Sequence, residues 1–228
     1  MKALIFAAGR GERMRPLTDK LPKPLLEVGG KALIEYALEN LANAGFKEVV
    51  INLAYLGKQI QDFCGDGARW DVSIQYSDEG ESALETAGGI VKALPLLGKA
   101  PFLAVNSDIL CNYPLATLRT KTILGAHLVM IKNPSHHPDG DFAVDEGGFL
   151  CEDGASKLTF SGIGVYHPDL FYGIPPEPLK LRPILEQAIQ NRRVSAEQFN
   201  GYWADIGTPE RLAEINDALQ KNQLLSQN

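Results

Sequence analysis

The sequence has no apolar run longer than a single strand, and it contains few cysteines. No segment approaches the roughly 20 apolar residues that a membrane-spanning helix needs, so we expect no contact with a membrane. The three cysteines, Cys64, Cys111 and Cys151, are odd in number, widely spaced and in no metal-ligand pattern. They predict free thiols in a reducing compartment. Because Met1-Lys2 runs straight into an apolar strand, no cleavable leader is expected, and we predict a cytoplasmic protein.

The chain also lacks an excess of positive charge. Its 22 Lys and Arg residues are outnumbered by 28 Asp and Glu residues, which gives a net charge of −6. Proteins that bind nucleic acid carry a basic surface, so we expect no nucleic-acid partner. The apolar share of 45% and the charged share of 22% are ordinary for a globular protein. At 228 residues, a single domain over residues 1–228 is the natural expectation.

Helix and strand patterns alternate through the first half of the sequence. Apolar residues recur at helical spacing over 32–44 and stop at Gly45, and short β-branched runs predict strands. This alternation indicates an α/β fold with a mainly parallel sheet and helices on both faces. We predict strands at Lys2–Phe6, Glu48–Leu53, Val72–Tyr76 and Phe102–Val105, and helices at Ala32–Ala44, Leu56–Cys64 and Ile90–Leu97.

The pattern changes beyond Gly125, where shorter strands are separated by polar turns. This arrangement is more typical of a small α+β lobe than of a doubly wound sheet. Thr208 is a suitable N-cap for the last helix, with Pro209 at its first position. We predict strands at Ala126–Ile131, Phe142–Val144, Phe149–Cys151, Lys157–Thr159 and Ile163–Tyr166, and helices at Leu179–Gln190 and Pro209–Leu219.

Small residues and positive charge are concentrated near the amino-terminal end. The first strand breaks into Ala7, Ala8, Gly9 and Gly11, where a ligand can approach bare backbone N–H groups. Residues 1–23 hold six Lys and Arg against two acids, a local charge of +4, whereas the remaining residues carry −10. The combination predicts an anion-binding loop, and a purely structural turn is the alternative.

Two common phosphate-binding patterns do not fit this loop. The P-loop pattern G-x-x-x-x-G-K-[ST] follows no strand in the chain. The dinucleotide fingerprint has Met14 where its third glycine belongs, and Pro16 would cut the following helix short, which disfavours a nicotinamide oxidoreductase. Lys23 supplies a different signal. Pro22 and Pro24 restrict the backbone on both sides of it, and we expect a rigid, extended segment that holds the ammonium group in place.

Residues 3–18 read ALIFAAGRGERMRPLT, and residues 22–25 read PKPL. This run resembles the long and specific signature of the sugar-phosphate nucleotidyltransferases. Further matches at 85–89, 133–137 and 159–162 extend the resemblance over nearly the whole chain. They point to the branch of the family that couples UTP to N-acetylmuramate 1-phosphate in bacterial peptidoglycan recycling.

The resemblance implies a Rossmann-like domain in which a sugar 1-phosphate attacks a nucleoside triphosphate and releases pyrophosphate. Residues 1–110 would form the nucleotide-binding half, and residues 111–228 the half that binds the sugar and completes the metal site. Enzymes for mannose 1-phosphate or glucose 1-phosphate with GTP, dTTP or UTP are alternatives. A non-catalytic sugar-nucleotide sensor is a more distant one, because a pure binder has no need of two metal carboxylates.

Two aspartates follow predicted strands. Asp108 ends the segment 102–108, and Asp205 ends the segment 202–205. Ligands of open α/β sheets bind beyond the carboxyl ends of the strands, and Mg²⁺ takes one or two carboxylates together with phosphate oxygens and waters. An aspartate at a strand end is more often a turn residue or a cap. Here, however, Asn-Ser-Asp and Trp-x-Asp-Ile-Gly-Thr resemble the family's two metal-binding segments, so we expect both aspartates to bind Mg²⁺.

The resemblance also implies roles for the side chains of the loop. Arg15, with the Gly9 and Gly11 backbone, is expected to hold the β- and γ-phosphates, and Lys23 to bridge the α-phosphate and the incoming phosphate. The reaction is expected to be a direct in-line displacement without an enzyme nucleophile. The catalytic residues are then Arg15, Lys23, Asp108 and Asp205, and the nucleotide contacts are Ala7, Ala8, Gly9, Gly11, Arg13, Glu85, Thr86, Gly88 and Asn106.

The resemblance also implies that the base sits against the first loop and a glycine-containing turn at residues 84–89. Their sequence resembles the family's G-T-A-G-A, except that Glu85 replaces the first glycine. Backbone N–H and C=O groups at such a turn can pair with the imide edge of a pyrimidine. The small residues Ala7, Ala8 and Gly88 would form a close wall that excludes purines.

Candidates for sugar contact are small or polar residues at predicted strand ends, namely Asp141, Phe142, Ser161 and Gly162. The E-K-P segment through which many relatives bind the sugar phosphate is absent. Lys180 is a candidate substitute for that segment's lysine, but the preferred interpretation is a helix-surface lysine. His136 and His137 are interpreted as residues of a solvated, proline-flanked loop, with sugar contact as the second interpretation.

Overall fold

A central sheet with helices on both faces organises the chain, which a computed structural model describes over residues 1–152, 154 and 156–221. The helices are α1 (Leu33–Asn43), α2 (Gly57–Cys64), α3 (Glu85–Leu97), α4 (Leu181–Gln190) and α5 (Pro209–Gln220). The strands are β1 (Ala3–Phe6), β2 (Glu27–Val28), β3 (Lys31–Ala32), β4 (Glu48–Leu53), β5 (Ser73–Asp78), β6 (Phe102–Asn106), β7 (Ile109–Cys111), β8 (Ala126–Ile131), β9 (Ala143–Val144), β10 (Leu150–Cys151), β11 (Thr159–Tyr166), β12 (Val194–Phe199) and β13 (Trp203–Asp205).

The main sheet has seven strands in the order β12-β8-β11-β6-β1-β4-β5. The four strands β6, β1, β4 and β5 run parallel to one another. Strand β11 is antiparallel to both β6 and β8, and the edge strand β12 is parallel to β8. The predicted mainly parallel, mixed α/β sheet is therefore confirmed.

Two apolar clusters cover the two faces of this sheet. Because successive strand residues point to opposite faces, Ala3 and Ile5 of β1 pack with α1 and α2, whereas Leu4 packs with α3 and α4. A third, smaller cluster lies outside the sheet and joins the loop after β1 to the end of the chain. It contains Met14, Leu26, Val28, Leu33, Leu110 and Ile206, with side chains of α5 packed against it.

The second half of the chain extends the main sheet instead of forming a separate one. Strands β8, β11 and β12 continue it beyond β6, and a two-stranded ribbon of β9 and β10 lies beside them. Strand β13 returns to the first half and pairs antiparallel with β7. The division into halves at residue 110 remains a prediction. The sheet itself contains strands from both sides of that position.

Three local predictions differ from the structure. The two strands predicted at 157–159 and 163–166 form the single strand β11, whose pairing with β8 shifts register between Phe160 and Gly164. Gly162 in this irregularity has a φ of +80°, a conformation that glycine adopts without strain. Strand β12 is missing from the prediction. The turn predicted at 84–89 is wrong, because residues 85–89 form the start of α3.

Within the residues that the structure describes, no helix is both long and apolar enough to cross a bilayer.

Candidate active site

A cleft of about 450 Å³ opens where β1, β4 and β6 end. Its walls come from the loop after β1, from the residues that follow β5 and β6, and from Gly207 just before α5. This is the edge of the sheet at which parallel strands present their ligands. Among the residues predicted from sequence, the cleft gathers Ala7, Ala8, Gly9, Gly11, Arg13, Lys23, Glu85, Thr86, Asn106 and Asp108.

Gly9 and Gly11 in the loop after β1 lack a side chain for different structural reasons. Gly11 has a φ of +69°, and a Cβ there would lie 3.0 Å from Cβ of Lys23 and 3.1 Å from Cγ2 of Thr18. The Thr18 hydroxyl donates to the Gly11 carbonyl at 2.9 Å and fixes this turn. Gly9 has no atom within 4 Å of the position a Cβ would take, so its backbone faces open space. Met14, which occupies the third fingerprint position, is fully buried beneath the loop.

Lys23 and Asp108 form a half-buried ion pair in the cleft, with side-chain exposures of 14% and 23%. The extended backbone predicted at Lys23 is wrong, because residues 23–25 form a 3₁₀ turn. The backbone N–H of Leu25 donates to the Pro22 carbonyl at 2.9 Å, and that of Leu26 donates to the Lys23 carbonyl at 3.0 Å. The flanking prolines still restrict the backbone, so the expected rigidity comes from a closed turn.

The structure separates the two arginines that follow Gly11. Arg15 donates from Nε to Asp19 at 2.7 Å, its side chain is 53% exposed, and it is not among the residues that line the cleft. Arg13 does line the cleft, and its Nη2 lies 3.1 Å from the position that a Cβ on Gly207 would take. The geometry therefore favours Arg13 over Arg15 as the arginine that meets a ligand.

The two predicted metal-binding aspartates are neighbours on adjacent backbone segments. Asp205 pairs with Ile109 in the ribbon of β13 and β7, and the Ile206 N–H donates to the Asp108 carbonyl at 2.9 Å. Residues 97 positions apart in sequence therefore meet at one point, Asp108 inside the cleft and Asp205 beside Gly207 at its margin.

Asp205 is held by two side chains that the sequence did not connect with it. Arg211 of α5 bonds to Oδ1 through Nη1, and Nε2 of His136 lies 3.1 Å from the same oxygen. His136 lies in an exposed turn, as interpreted from the sequence, and its contact with Asp205 is an addition to that interpretation. His137 contacts Asp141 instead, with 3.2 Å between Nε2 and Oδ1. In the sequence, the two adjacent histidines are the only signal of the contact between His136 and Asp205, because that contact depends on the tertiary fold.

The donor set around these aspartates fits Mg²⁺. Lys23 bonds to Oδ2 of Asp108, while Arg211 and His136 contact Oδ1 of Asp205. Within the described part of the chain, neither remaining carboxylate oxygen receives a hydrogen bond, and no group of three or more His, Cys, Asp or Glu side chains could hold a metal. Two carboxylates suffice for Mg²⁺ when phosphate oxygens and waters complete its coordination.

A buried hydrogen-bond network connects the loop after β1 to the segment before α3. The Ala7 N–H donates to Oδ1 of Asn52 at 2.7 Å, and Nδ2 of Asn52 donates to Oε1 of Glu79 at 2.6 Å. The Leu84 N–H donates to the other oxygen of Glu79 at 2.6 Å. Asn52 at the end of an apolar strand is a sequence signal for such a role. Together these bonds fix the two walls of the cleft relative to each other.

Burial raises the pKa of Glu79 above its ordinary value, although hydrogen bonds from Leu84 and Asn52 oppose the shift. A carboxyl whose pKa is higher in the folded protein contributes stability at low pH, which is lost as the pH rises through the folded pKa. We therefore expect wild type to be more stable relative to Glu79→Gln below pH 4.5 than near neutrality, that is, to have a relatively larger positive free energy of unfolding at low pH. Denaturant titrations over this range test the prediction. The exposed Glu81→Gln serves as control, and a pH-independent difference for Glu79→Gln contradicts it.

Two other residues predicted to contact the nucleotide show unusual backbone constraints. Glu85, at the start of α3, has a φ of +59°. This explains why the family pattern carries glycine there, since a non-glycine residue in this region is strained. Gly88 is buried and does not line the cleft. A Cβ on Gly88 would lie closer than 3.0 Å to the Glu177 carbonyl oxygen, so its lack of a side chain serves packing.

None of the four predicted sugar-contact residues is among those that line the cleft, and most are engaged in structural contacts. Asp141 accepts the Phe160 N–H at 2.8 Å, and Phe142 is 3% exposed beneath the Arg182 guanidinium. Ser161 is 1% exposed, and its carbonyl accepts the Trp203 indole N–H at 2.9 Å. Gly162 packs directly against Asn106 and Ile109, next to the cleft. A role in sugar binding remains a prediction for these four.

The cleft combines a glycine loop, cationic side chains and two neighbouring aspartates, and the sequence that forms it is similar to known proteins. Residues 2–144 match the family model described as Nucleotidyl transferase, and the chain belongs to that family. It is 50% identical to an N-acetylmuramate alpha-1-phosphate uridylyltransferase of Neisseria meningitidis serogroup B, over 94% of this chain and 96% of that protein. A mannose-1-phosphate guanyltransferase of Schizosaccharomyces pombe is 31% identical over 92% of this chain, which spans 61% of that protein's length.

Solved structures with little sequence identity share the fold. A UDP-glucose pyrophosphorylase complexed with UDP-glucose superposes with a TM-score of 0.79 at 22% identity, covering 97% of this chain and 98% of the other. An inositol-1-phosphate CTP transferase from T. maritima gives a TM-score of 0.78 at 18% identity, covering 99% and 96%. The described residues therefore share the α/β fold of these two structures.

Proposed function

We propose that the protein transfers a uridylyl group from UTP to N-acetylmuramate 1-phosphate, releasing pyrophosphate and forming the UDP-sugar. The observation that carries this proposal is the 50% identity, over nearly both full lengths, to the uridylyltransferase from Neisseria meningitidis. The Lys23–Asp108 pair beside a glycine loop and Asp205 supplies the chemistry that such a transfer requires. The setting is the cytoplasm and the biological role is peptidoglycan recycling.

In this mechanism the protein positions two polyanions and neutralises their charge. The backbone of the Gly9–Gly11 loop and Arg13 hold the β- and γ-phosphates, and Lys23 lies between the α-phosphate and the incoming phosphate. The acceptor phosphate is already ionised, so an oxygen of it attacks the α-phosphorus in line and no enzyme nucleophile is needed. Catalysis then depends on orientation and on preorganised charge.

Mg²⁺ is the proposed cofactor, held by Asp108 and Asp205. When bound, it neutralises phosphate charge and orients the phosphate oxygens. The protein's own part is to keep each carboxylate in place, Asp108 through Lys23 and Asp205 through Arg211. Residues 1–110 serve the nucleotide and residues 111–228 serve the sugar, with Asp205 supplied from the second half.

A second candidate function is guanylyl transfer to mannose 1-phosphate, which the 31% identical relative from Schizosaccharomyces pombe supports. Pyrophosphate release should be measured with UTP, dTTP, CTP and GTP against N-acetylmuramate, mannose and glucose 1-phosphates. We expect the highest kcat/KM for UTP with N-acetylmuramate 1-phosphate. A preference for GTP with mannose 1-phosphate would favour the second candidate. Absence of Mg²⁺-dependent pyrophosphate release with every pair would favour a non-catalytic sensor.

Arg13→Ala and Arg15→Ala form a matched pair that tests which arginine binds the triphosphate. A charge-assisted hydrogen bond contributes about 1.5–3 kcal/mol, so Arg13→Ala should lower kcat/KM for UTP by about 10–100-fold. Arg15→Ala should change it little, because its guanidinium pairs with Asp19 outside the cleft. Steady-state kinetics with varied UTP decide between them. A larger loss for Arg15→Ala would restore the role expected from the sequence.

A further inference from the structure

The Arg211 side chain is held at the margin of the cleft with hydrogen-bond donors to spare. It projects from the first turn of α5, whose cap Thr208 accepts the Arg211 backbone N–H at 3.4 Å. Only Nη1 bonds to the protein within the described residues, where it contacts Asp205 and lies 2.9 Å from Nε2 of His136. The side chain is 17% exposed, so the unused donors are half-buried.

These unused donors lie beside a residue of the cleft wall, although Arg211 itself does not line the cleft. Nη2 of Arg211 would collide with a Cβ on Gly207, and Nη2 of Arg13 would lie 3.1 Å from the same point. Gly207 itself lines the cleft. The missing side chain therefore leaves room for two guanidinium groups to meet at one place. Two guanidinium groups therefore lie side by side here, and that of Arg211 pairs with the carboxylate of Asp205.

His136 is brought to this site by a loop with fixed geometry. Nδ2 of Asn133 donates to the carbonyls of Pro138 at 2.9 Å and Lys157 at 3.0 Å, and the Thr159 hydroxyl donates to Oδ1 of Asn133 at 2.9 Å. This loop joins β8 to the ribbon of β9 and β10, and it belongs to the half of the chain proposed to bind the sugar. Arg211 and His136 thus meet where the acceptor has to approach Asp205.

We propose that Arg211, oriented by Asp205 and flanked by His136, binds an anionic group of the acceptor sugar. This inference rests on the proposed function, whose acceptor carries two anions, the 1-phosphate and the lactyl carboxylate. A guanidinium fork recognises both chemistries through paired N–H···O bonds. The proximity of Asp205 to Asp108 makes the phosphate the expected partner, because the reacting phosphates must meet there.

The test measures acceptor binding without turnover. Wild type, Arg211→Gln and Arg211→Lys are saturated with Mg²⁺ and a non-reactive α,β-methylene analogue of UTP, and N-acetylmuramate 1-phosphate is then titrated in by calorimetry. We expect Arg211→Gln to raise the Kd of the acceptor by about 10–100-fold, and Arg211→Lys to fall between, since lysine lacks the planar fork. Arg192→Gln, which removes an exposed arginine paired with Asp145, is the charge-matched control and should bind like wild type.

A second acceptor and a second ligand separate the possible outcomes. N-acetylglucosamine 1-phosphate has the phosphate but no lactyl carboxylate, so an equal loss with both acceptors assigns Arg211 to the phosphate, and a loss confined to the muramate assigns it to the carboxylate. Unchanged acceptor affinity in a folded Arg211→Gln overturns the inference. So does an equal loss of affinity for the UTP analogue, which would show that Arg211 only positions Asp205. If wild type does not bind the acceptor at all, the proposed function fails, and this inference fails with it.

Discussion

Replacing Lys23 by alanine is expected to lower kcat by about 10²–10³-fold, the usual effect of removing one preorganised charged group from a site of phosphoryl-type transfer. Lys23 is the cation that pairs with Asp108 inside the cleft, and its position between Pro22 and Pro24 at the start of a 3₁₀ turn restricts its backbone. Its loss leaves Asp108 without this partner and, in the proposed mechanism, removes positive charge from the α-phosphate. Stopped or continuous assays of pyrophosphate release at saturating substrates measure the effect.

Lys20→Ala is the matched control for this experiment. Lys20 is exposed, lies three residues away and does not line the cleft, so the same change in net charge should leave kcat unaltered. Lys23→Ala with near-normal turnover would remove Lys23 from the mechanism. A comparable loss in both variants would mean that overall charge, and not the position of this ammonium, governs the rate.

Replacing Gly88 by alanine is expected to destabilise the protein by about 1–3 kcal/mol, the usual range for overpacking a core position. The added methyl group would collide with the backbone carbonyl of Glu177, which cannot rotate away as a side chain can. The Ala87 and Gly88 N–H groups both donate to the Leu179 carbonyl, so the start of α3 is tied to this segment. Urea denaturation of the two proteins measures the loss.

The Gly9→Ala variant distinguishes an effect of the added methyl group on stability from an effect on ligand binding. A Cβ at Gly9 meets no atom within 4 Å, so its stability should stay within about 0.5 kcal/mol of wild type. Its activity should fall nonetheless, because the added methyl group stands where the triphosphate approaches the backbone. A stable and active Gly9→Ala would argue against phosphate binding at this loop.

For the Gly88→Ala variant, unchanged stability would contradict the prediction, because it would show that the Glu177 segment shifts without a cost in free energy.

The parts of the fold that local sequence determines were predictable. Strands β4 and β8 have the predicted bounds, and the remaining strands of the parallel half differ by a few residues, because their apolar runs are unambiguous. Strand β12 was not predictable in the same way. Its sequence, VSAEQF, is polar and mostly half-buried at the sheet edge, and pairing with β8 determines its conformation.

The same distinction applies to the candidate site. The glycine loop, Lys23 and the two aspartates are recognisable because each belongs to a contiguous motif. The choice between Arg13 and Arg15 depends on how one tight turn directs neighbouring side chains, and sequence spacing carries no such information. The network through Asn52 and Glu79 and the contacts of Arg211 with His136 join residues far apart in the chain, so only the tertiary fold reveals them.

Strand β13 comes late in the sequence, and this affects when the site is completed during synthesis of the chain. All seven strands of the main sheet precede Trp203, whereas Asp205 and the α5 side chains that pack against the third apolar cluster come after it. A nascent chain emerging from the ribosome can therefore complete its sheet while it still lacks one of its two carboxylates. In the proposed mechanism, a chain truncated before β13 would lack one of the two metal-binding carboxylates and could not catalyse the transfer.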